Sequence, residues 1–195
     1  MTIFLSIFAS IFNLLSGGSY LIQVIKGKSI PNPATWLIWV VVTIINTLTY
    51  FSVVHGNIWV SLSSIVLALG ILFIFLFSLI KGKFSKLGKI EIVSLVIAFG
   101  IGLFWKLSGN SIISNIALQA VFLISFYPTL ISLLKKETTE KPLAWFFASS
   151  SYTLQIINVF ISGSSLFALA FPIVNLVGNG TIGILALFQN KRENE

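Results

Sequence analysis

The side chains of this sequence that could recognise a ligand are mainly carboxamides set within long apolar runs. Asn175 and Asn179 are four residues apart, so they share one face of a helix. A carboxamide both donates and accepts hydrogen bonds, which suits ligands rich in hydroxyl or amide groups. We therefore predict a substrate site that draws on carboxamides from several helices and one indole: Asn13, Trp39, Asn46, Gln119, Gln155, Asn175 and Asn179.

The same carboxamides have a second possible role as hydrogen bonds between helices. Such a bond inside a membrane contributes about 0.6 kcal/mol, whereas an unpaired amide in hydrocarbon is costly. The carboxamides must therefore face protein or a water-filled path. A cavity among the helices would satisfy them.

The tryptophans divide by their position in the apolar runs. Trp39 lies about one turn inside its run, where the ring could stack on a pyranose or a nucleobase. Trp36, Trp59, Trp105 and Trp145 lie near the ends of runs, where amphipathic rings anchor a protein at the membrane interface. We therefore expect Trp39 alone among them to contact a solute.

The residue types that carry most catalytic and metal chemistry are scarce. The chain has no cysteine and no aspartate, and His55 is its only histidine. The glutamates fall near helix ends or in the C-terminal tail, so no predicted span carries an acid that could bind a proton; they are Glu91, Glu137, Glu140, Glu193 and Glu195. We expect no enzyme activity, no cofactor and no metal, and a neutral solute without proton coupling.

The composition is that of a membrane protein. The 195 residues have a mean hydropathy of +1.02 and are 56% hydrophobic, and only 9% are charged, against about 25% in soluble domains. The net charge of +7 comes from short basic clusters between apolar runs. That pattern orients helices in a lipid bilayer and does not indicate a nucleic-acid partner.

Seven segments are long enough to cross a bilayer, because about 20 apolar residues are needed. The sequence therefore predicts an all-α integral membrane protein, and the missing basic region at the N-terminus argues against a cleaved signal peptide. The segments are residues 3 to 25, 33 to 54, 57 to 80, 90 to 107, 112 to 134, 142 to 162 and 165 to 189.

The basic residues predict the orientation of these spans. They follow the first, third, fifth and seventh spans, whereas the opposite side carries only Lys106. Positively charged loops stay in the cytoplasm. We therefore predict that the N-terminus is outside and the C-terminus inside, in the cytoplasmic membrane of a prokaryote.

An internal repeat relates the two halves of the chain. One constant shift in residue number, which we call the repeat shift, overlays Lys26 on Lys135, Pro33 on Pro142 and Trp36 on Trp145. Spans one to three thus recur as spans five to seven in the same orientation, a 3+1+3 arrangement of two parallel triple-helix repeats with span four as a linker helix. The predicted units are residues 1 to 80, 81 to 111 and 112 to 189, followed by a cytoplasmic tail, 190 to 195.

This layout resembles the SWEET sugar transporters and the wider PQ-loop family over essentially the whole chain. Tyr127 to Leu130 is similar to the Pro-Gln signature of that family, with Thr129 in place of glutamine. Ile30 to Pro33 resembles the proline-rich entry to the second SWEET helix, and Asn175 to Gly178 resembles an Asn-x-x-Gly stretch whose asparagine contacts substrate.

The resemblance implies facilitated diffusion of a small neutral polar solute, with sugar as the first expectation, by alternating access between the two halves. Trp36 to Trp39 followed by Asn46 is similar to PnuC-type nicotinamide riboside transporters, so a vitamin of that kind is an alternative. A membrane scaffold or sorting protein that transports nothing, as some PQ-loop relatives are, is another. A monomer would suffice for transport, and the sequence is also compatible with a homo-oligomer.

The prolines are candidate hinges. Pro128 and Pro172 lie inside predicted spans, where a proline frees a backbone carbonyl and permits bending. Pro33 and Pro142 lie at the first turn of their spans, where proline is also a good helix starter. Their recurrence in both halves adds them to the hinge set.

We predict from the distribution of basic residues that Ser108 is extracellular and Ser85 is cytoplasmic. The chain has no cysteine, so single-cysteine variants report one position each. In intact cells, Ser108→Cys should react with a membrane-impermeant maleimide and Ser85→Cys should react only after permeabilisation. The reverse labelling pattern would contradict the orientation.

Overall fold

The computed structural model describes residues 1–27, 33–81, 88–135 and 140–193, so Ser85 and most of the Ile30 to Pro33 motif lie outside the described residues. Helices make up the regular structure of these ranges, which confirms the all-α class. A 3₁₀ turn, Leu166–Leu169, precedes the last helix. The α-helices are α1 (Thr2–Ile25), α2 (Pro33–Val53), α3 (Ile58–Lys81), α4 (Lys89–Ser108), α5 (Ser111–Leu134), α6 (Pro142–Ser162) and α7 (Ala170–Glu193).

The helix boundaries follow from capping residues in the sequence. The Asn110 side chain accepts a hydrogen bond from the backbone N–H of Ile113 at 3.0 Å, which caps the start of α5. Gly109 and Gly163 end α4 and α6 with φ of +69° and +64°, the left-handed conformation that glycine adopts without strain. The predicted spans therefore match the helices to within a few residues, except that the 3₁₀ turn delays the start of α7.

Within the described ranges, five helical segments are long and apolar enough to cross a membrane: Thr2–Ile25, Trp36–Val53, Ile58–Lys81, Ser111–Ile131 and Leu166–Gln189. In α4 the apolar stretch is shorter, Ile92–Ser108. Serine, threonine and carboxamide side chains lower the hydropathy of α6, which has 21 residues. The structure thus indicates an integral membrane protein, with five rather than seven helices that meet this test.

Apolar side chains cover the outside of the helix bundle. On α4, Val96, Phe99, Leu103 and Leu107 are all more than half exposed. Exposed apolar surface on this scale is unfavourable in water at roughly 25 cal/mol per Å², but it costs nothing against lipid chains. The outward face of α4 is therefore suited to lipid.

The helices pack in two similar groups. In the first group α3 contacts both α1 and α2, and in the second α7 contacts both α5 and α6. The groups meet where α1 packs against α6 and where α2 packs against α5. The remaining helix, α4, packs against α2 and α5.

The main apolar core lies where the two groups meet. Phe171 is at its centre, with ring centroids 5.5 Å from Tyr50, 5.8 Å from Phe122 and 5.7 Å from Tyr152. Short connections make successive helices antiparallel, so Lys26, Lys81 and Lys135 lie at one end of the bundle. We call this the basic end, and the other the opposite end.

Candidate functional site

A cavity of about 730 Å³ lies among six of the seven described α-helices, towards the basic end. Its walls come from the middle and C-terminal parts of α1, α3 and α5, the N-terminal parts of α2 and α6, and α7. No described residue of α4 reaches it. The volume falls within the range of small-molecule sites, about 300 to 1,000 Å³.

Asn175 and Asn179 bring two carboxamides to one wall of the cavity. Each side-chain N–H₂ group donates to the backbone carbonyl four residues earlier, Asn175 to Phe171 at 2.9 Å and Asn179 to Asn175 at 2.8 Å. Neither side-chain oxygen has a hydrogen-bond partner among the described residues. These oxygens can accept hydrogen bonds from hydroxyl or amide groups of a solute.

Asn13 adds a third carboxamide from α1. Its Nδ2 donates to the backbone carbonyl of Ser63 at 3.0 Å and to the Ser63 hydroxyl at 2.9 Å. Its Oδ1 is buried and has no partner within the described part of the chain. A buried acceptor without a partner costs about 1 to 3 kcal/mol, and in the described conformation this oxygen is not accessible to a molecule in the cavity.

Aromatic rings form another wall. The Trp39 ring centroid lies 5.8 Å from that of Phe122 and 6.0 Å from that of Phe126. Nearer the basic end, Trp36 lies 5.0 Å from Tyr20. Such rings offer flat apolar surface for stacking against a ring or against the C–H face of a sugar.

Gly178 lets the aromatic wall reach α7. A Cβ atom at this position would overlap the Phe126 ring. The ring therefore occupies the space that any larger side chain would need. This close approach gives a structural reason for glycine in the Asn175 to Gly178 stretch.

Glu140 lies just before α6 and lines the cavity near the basic end. Its Oε2 accepts a hydrogen bond from Trp145 Nε1 at 3.2 Å. Burial raises the pKa of the Glu140 carboxyl above its ordinary value, and the hydrogen bond from Trp145 lowers it. Among the described lining residues Glu140 is the only carboxylic acid, and there is no lysine, arginine or histidine.

Asn46 and Gln119 do not line the cavity. With Asn115 they form a cluster between α2 and α5, in which Asn115 Nδ2 and Gln119 Nε2 both donate to Asn46 Oδ1 at 3.1 Å. Asn115 Nδ2 also donates to the Thr49 hydroxyl at 3.1 Å. These carboxamides hold two helices together, which is the second role considered from the sequence.

Gln155 also lies away from the cavity. Its Nε2 donates to the Ser151 hydroxyl at 3.2 Å, and Ser151 Oγ donates to the backbone carbonyl of Ala9 at 2.8 Å. The chain of bonds links α6 to α1. Of the predicted substrate-binding residues, the structure brings Asn13, Trp39, Asn175 and Asn179 to one cavity and puts Asn46, Gln119 and Gln155 between helices.

The prolines occupy different positions in their helices. Pro33 and Pro142 begin α2 and α6. Pro172 lies within the apolar segment Leu166–Gln189, as expected. It is the third residue of α7, and at a first turn it removes no intrahelical hydrogen bond because those N–H groups have no acceptor there. Pro128 lies within α5, but its side chain is outside the described residues, so its hinge role stays a prediction.

Sequence reasoning did not assign Trp36, Trp145 and Glu140 to the site. The two tryptophans were expected only to anchor at the membrane interface, yet both line the cavity. One signal was available, since the repeat shift relates Trp36 to Trp145. Glu140 gave no such signal, because its chain position shows only that it precedes a helix.

Tight packing closes the opposite end. Val53, Val60, Leu118 and Val159 are all nearly fully buried there. Two polar contacts connect the helix groups at this level: Asn158 Nδ2 donates to Ser6 Oγ at 2.8 Å, and Asn115 Nδ2 donates to Thr49 Oγ1. The cavity is therefore blocked towards the opposite end.

The chain matches no protein-family model, no curated protein and no solved structure. The resemblance to the PQ-loop family consequently rests on sequence motifs and the repeat. What the cavity can bind follows from the chemistry of its walls.

We predict that Gly178→Ala lowers the thermal stability of the purified protein. The new methyl group would overlap the Phe126 ring, and overpacking of this kind costs about 1 to 3 kcal/mol. The matched control is Gly180→Ala on the same helix, where the nearest atom, Ser149 Oγ, would be 3.7 Å away. Thermal melts in detergent should show a lower midpoint for Gly178→Ala only, and equal midpoints would contradict the contact.

Proposed function

We propose that the protein is a membrane transporter for a small neutral polar solute and works by facilitated diffusion. The observation that carries this proposal is the cavity, because it is walled by carboxamides and aromatic rings and is blocked at one end. A site that faces one side of the membrane at a time is what alternating access requires. The solute enters from the basic end in the described conformation.

The lining of the cavity supports two related halves. Lining residues recur at the repeat shift in each pair of helices, as in Tyr20 with Thr129, Trp36 with Trp145, and Val66 with Asn175. The helix packing follows the same rule, because α3 contacts α1 and α2 as α7 contacts α5 and α6. Both observations favour a parallel repeat about an axis along the membrane normal.

Two hydrogen bonds at the opposite end give independent support. The repeat shift overlays Ser6 on Asn115 and Thr49 on Asn158. The pair Asn158 and Ser6 thus corresponds to the pair Thr49 and Asn115, and both pairs are hydrogen-bonded. If a two-fold axis relates the halves, a bond from the second half to the first must have a counterpart from the first half to the second, and these two hydrogen bonds fit that requirement.

The proposed architecture is seven spans in a 3+1+3 arrangement. The linker α4 lacks cavity residues in its described part and has an apolar outward face. The polar α6 can also span, because Ser151 and Asn158 bond to α1 and do not face lipid. With the N-terminus outside, the basic end and the cavity face the cytoplasm, and transport requires that the two polar contacts at the opposite end separate.

Sugar is the first choice of solute, because the side-chain oxygens of Asn175 and Asn179 can accept hydrogen bonds from hydroxyl groups. A nicotinamide riboside-like vitamin is the second candidate. The rings of Trp39, Phe122 and Phe126 favour it, since they offer a stacking surface for a flat ring.

We predict that Asn175→Ala weakens solute binding severalfold while the protein folds normally. The variant loses a side-chain acceptor in the cavity, and a typical hydrogen bond contributes about 0.5 to 1.5 kcal/mol. Thr181→Ala is the control on the same helix, because Thr181 is exposed and bonds only to its own helix. The measurement is uptake of labelled glucose and nicotinamide riboside into proteoliposomes, after a thermal-shift screen of sugars, nucleosides and vitamins.

Transport by Asn175→Ala equal to that of the wild type would remove this residue from the site. If the wild-type protein binds and moves no solute in the screen, the proposal of a transporter fails. A scaffold that transports nothing would then be the better interpretation.

A further inference from the structure

We propose that Tyr152 is a further solute-binding residue, whose hydroxyl donates a hydrogen bond to the solute beside the acceptor oxygens of Asn175 and Asn179. The three side chains together select a neutral group that both accepts and donates hydrogen bonds, which is a hydroxyl or a primary carboxamide. This inference rests on the proposed function, since it takes the cavity as the solute site. It assigns a binding role to a residue that sequence reasoning did not single out.

The Tyr152 side chain combines deep burial with a free hydroxyl group. The residue is only 3% exposed, yet it lines the cavity. Its hydroxyl is not bonded to any described residue and is not sealed inside the protein, so the surface that it shows lies in the cavity. Buried tyrosine hydroxyls usually have a hydrogen-bond partner. A molecule in the cavity supplies the partner that the described protein groups do not.

A comparison with Tyr50 shows what distinguishes this hydroxyl. Both tyrosine rings pack on Phe171, with centroid distances of 5.5 Å for Tyr50 and 5.7 Å for Tyr152. The Tyr50 hydroxyl is also unpaired within the described part of the chain, but it is fully buried, and Tyr50 does not line the cavity. The two tyrosines thus share a ring environment and differ in their access to the cavity.

Phe171 also brings Tyr152 close to the acceptors of α7. The Tyr152 ring packs edge-on against the Phe171 ring, and the Phe171 backbone carbonyl accepts the hydrogen bond from Asn175 Nδ2 at 2.9 Å. Tyr152 and Asn175 therefore lie beside the same residue, at the end of the cavity that meets the main apolar core. The free side-chain oxygens of Asn175 and Asn179 can only accept, whereas the hydroxyl of Tyr152 can donate.

Two other polar residues of the lining, each near the middle of its helix, have already used their donors. Thr43 is the counterpart of Tyr152 by the repeat shift, and its hydroxyl donates to the backbone carbonyl of Trp39 at 2.6 Å. Asn13 Nδ2 donates to the carbonyl and the hydroxyl of Ser63. Of these three mid-helix positions, only Tyr152 has a donor left for a solute.

The combination of acceptors and a donor indicates which solute groups fit. A hydroxyl or a primary carboxamide can accept from Tyr152 and donate to an asparagine oxygen. An ether can accept only, so it leaves the asparagine oxygens without a partner. The aromatic wall is close by, since the Trp39 ring packs on Phe122 and Phe122 packs on Phe171. The site therefore suits a solute with a stacking face next to such a group.

The test uses four neutral probes that share a phenyl ring and differ in hydrogen bonding. Benzyl alcohol and benzamide both donate and accept, benzyl methyl ether only accepts, and toluene does neither. Dissociation constants are measured by ligand-observed NMR titration of the purified full-length protein in detergent, with the detergent alone as the reference. Each variant is compared with the wild type for one probe at a time, so partition of the probe into detergent cancels.

The decisive variant is Tyr152→Phe, which removes one hydroxyl and keeps the ring against Phe171. Binding of benzyl alcohol, benzamide and benzyl methyl ether should weaken about twofold to tenfold, which is the contribution of one hydrogen bond. Toluene should bind at least as tightly as it does to the wild type. The matched control is Tyr50→Phe, which removes a hydroxyl that does not reach the cavity, so all four probes should bind it as they bind the wild type.

Asn175→Ala tests the acceptor side of the same site. This variant should bind benzyl alcohol and benzamide more weakly, because both probes donate, and should bind benzyl methyl ether as the wild type does, because the ether has no hydrogen to donate. A general loosening of the cavity would not separate the probes in this way. The larger loss in Tyr152→Phe, for benzyl alcohol or for benzamide, identifies a hydroxyl or a carboxamide as the group that the site recognises.

An unchanged affinity of Tyr152→Phe for all three accepting probes would overturn the inference, as would a parallel loss that includes toluene or the same loss in Tyr50→Phe. Failure of every probe to bind the wild type would overturn it as well. These results leave the transport assay to be decided separately. Conversely, a protein that binds the probes in the expected pattern but moves no solute into proteoliposomes defeats the proposed function, while the binding role of Tyr152 stands.

Discussion

The structure depends on one constraint, which is that polar groups inside an apolar bundle must find partners. Lipid offers no hydrogen bonds, so each buried carboxamide or hydroxyl has to bond to protein or face a polar space. Asn115, Asn46 and Gln119 satisfy much of this need between α2 and α5. The side-chain N–H₂ groups of Asn175 and Asn179 donate to carbonyls of their own helix backbone, and their side-chain oxygens remain available to the cavity.

This constraint also explains which contacts join the two groups of helices. Asn158 with Ser6 and Asn115 with Thr49 are hydrogen bonds between helices of different groups, at the end where the core is tight. A shift of either helix along its axis would leave a carboxamide without a partner in a medium that cannot replace it. Under the proposed repeat the two contacts are equivalent, so one rearrangement of the two halves would break both together.

The helices could be predicted from the sequence, because their apolar runs are long and Gly109, Asn110 and Gly163 mark the breaks between them. The sequence did not allow us to predict which carboxamides line the cavity and which ones form hydrogen bonds between helices. Whether Asn46 or Asn175 faces a cavity depends on how each helix is rotated about its axis, and hydropathy does not determine rotation when polar groups occur on several faces. Sequence reasoning gave Trp36 and Trp145 only an interface role for a related reason, since a position near a helix end suits both a membrane interface and a cavity mouth. Glu140 entered the site only because it lies just before α6, whose N-terminal part lines the cavity.

Under the proposed repeat, the two halves do not give the cavity two equal sides. At positions equivalent by the repeat, α5 has Phe122 where α1 has Asn13, and α2 has Trp39 where α6 has Ala148. The helices α5 and α2 therefore supply bulky rings where α1 and α6 supply smaller side chains. The carboxamide of Asn175 likewise has Val66 as its counterpart on α3. Under the proposed function, two related halves would rock about their common axis while the unequal lining recognises a solute with unlike faces. Under the proposed function, a sugar would meet this lining with the C–H face of its ring against the aromatic wall and with hydroxyl groups at one edge against the acceptors on α7.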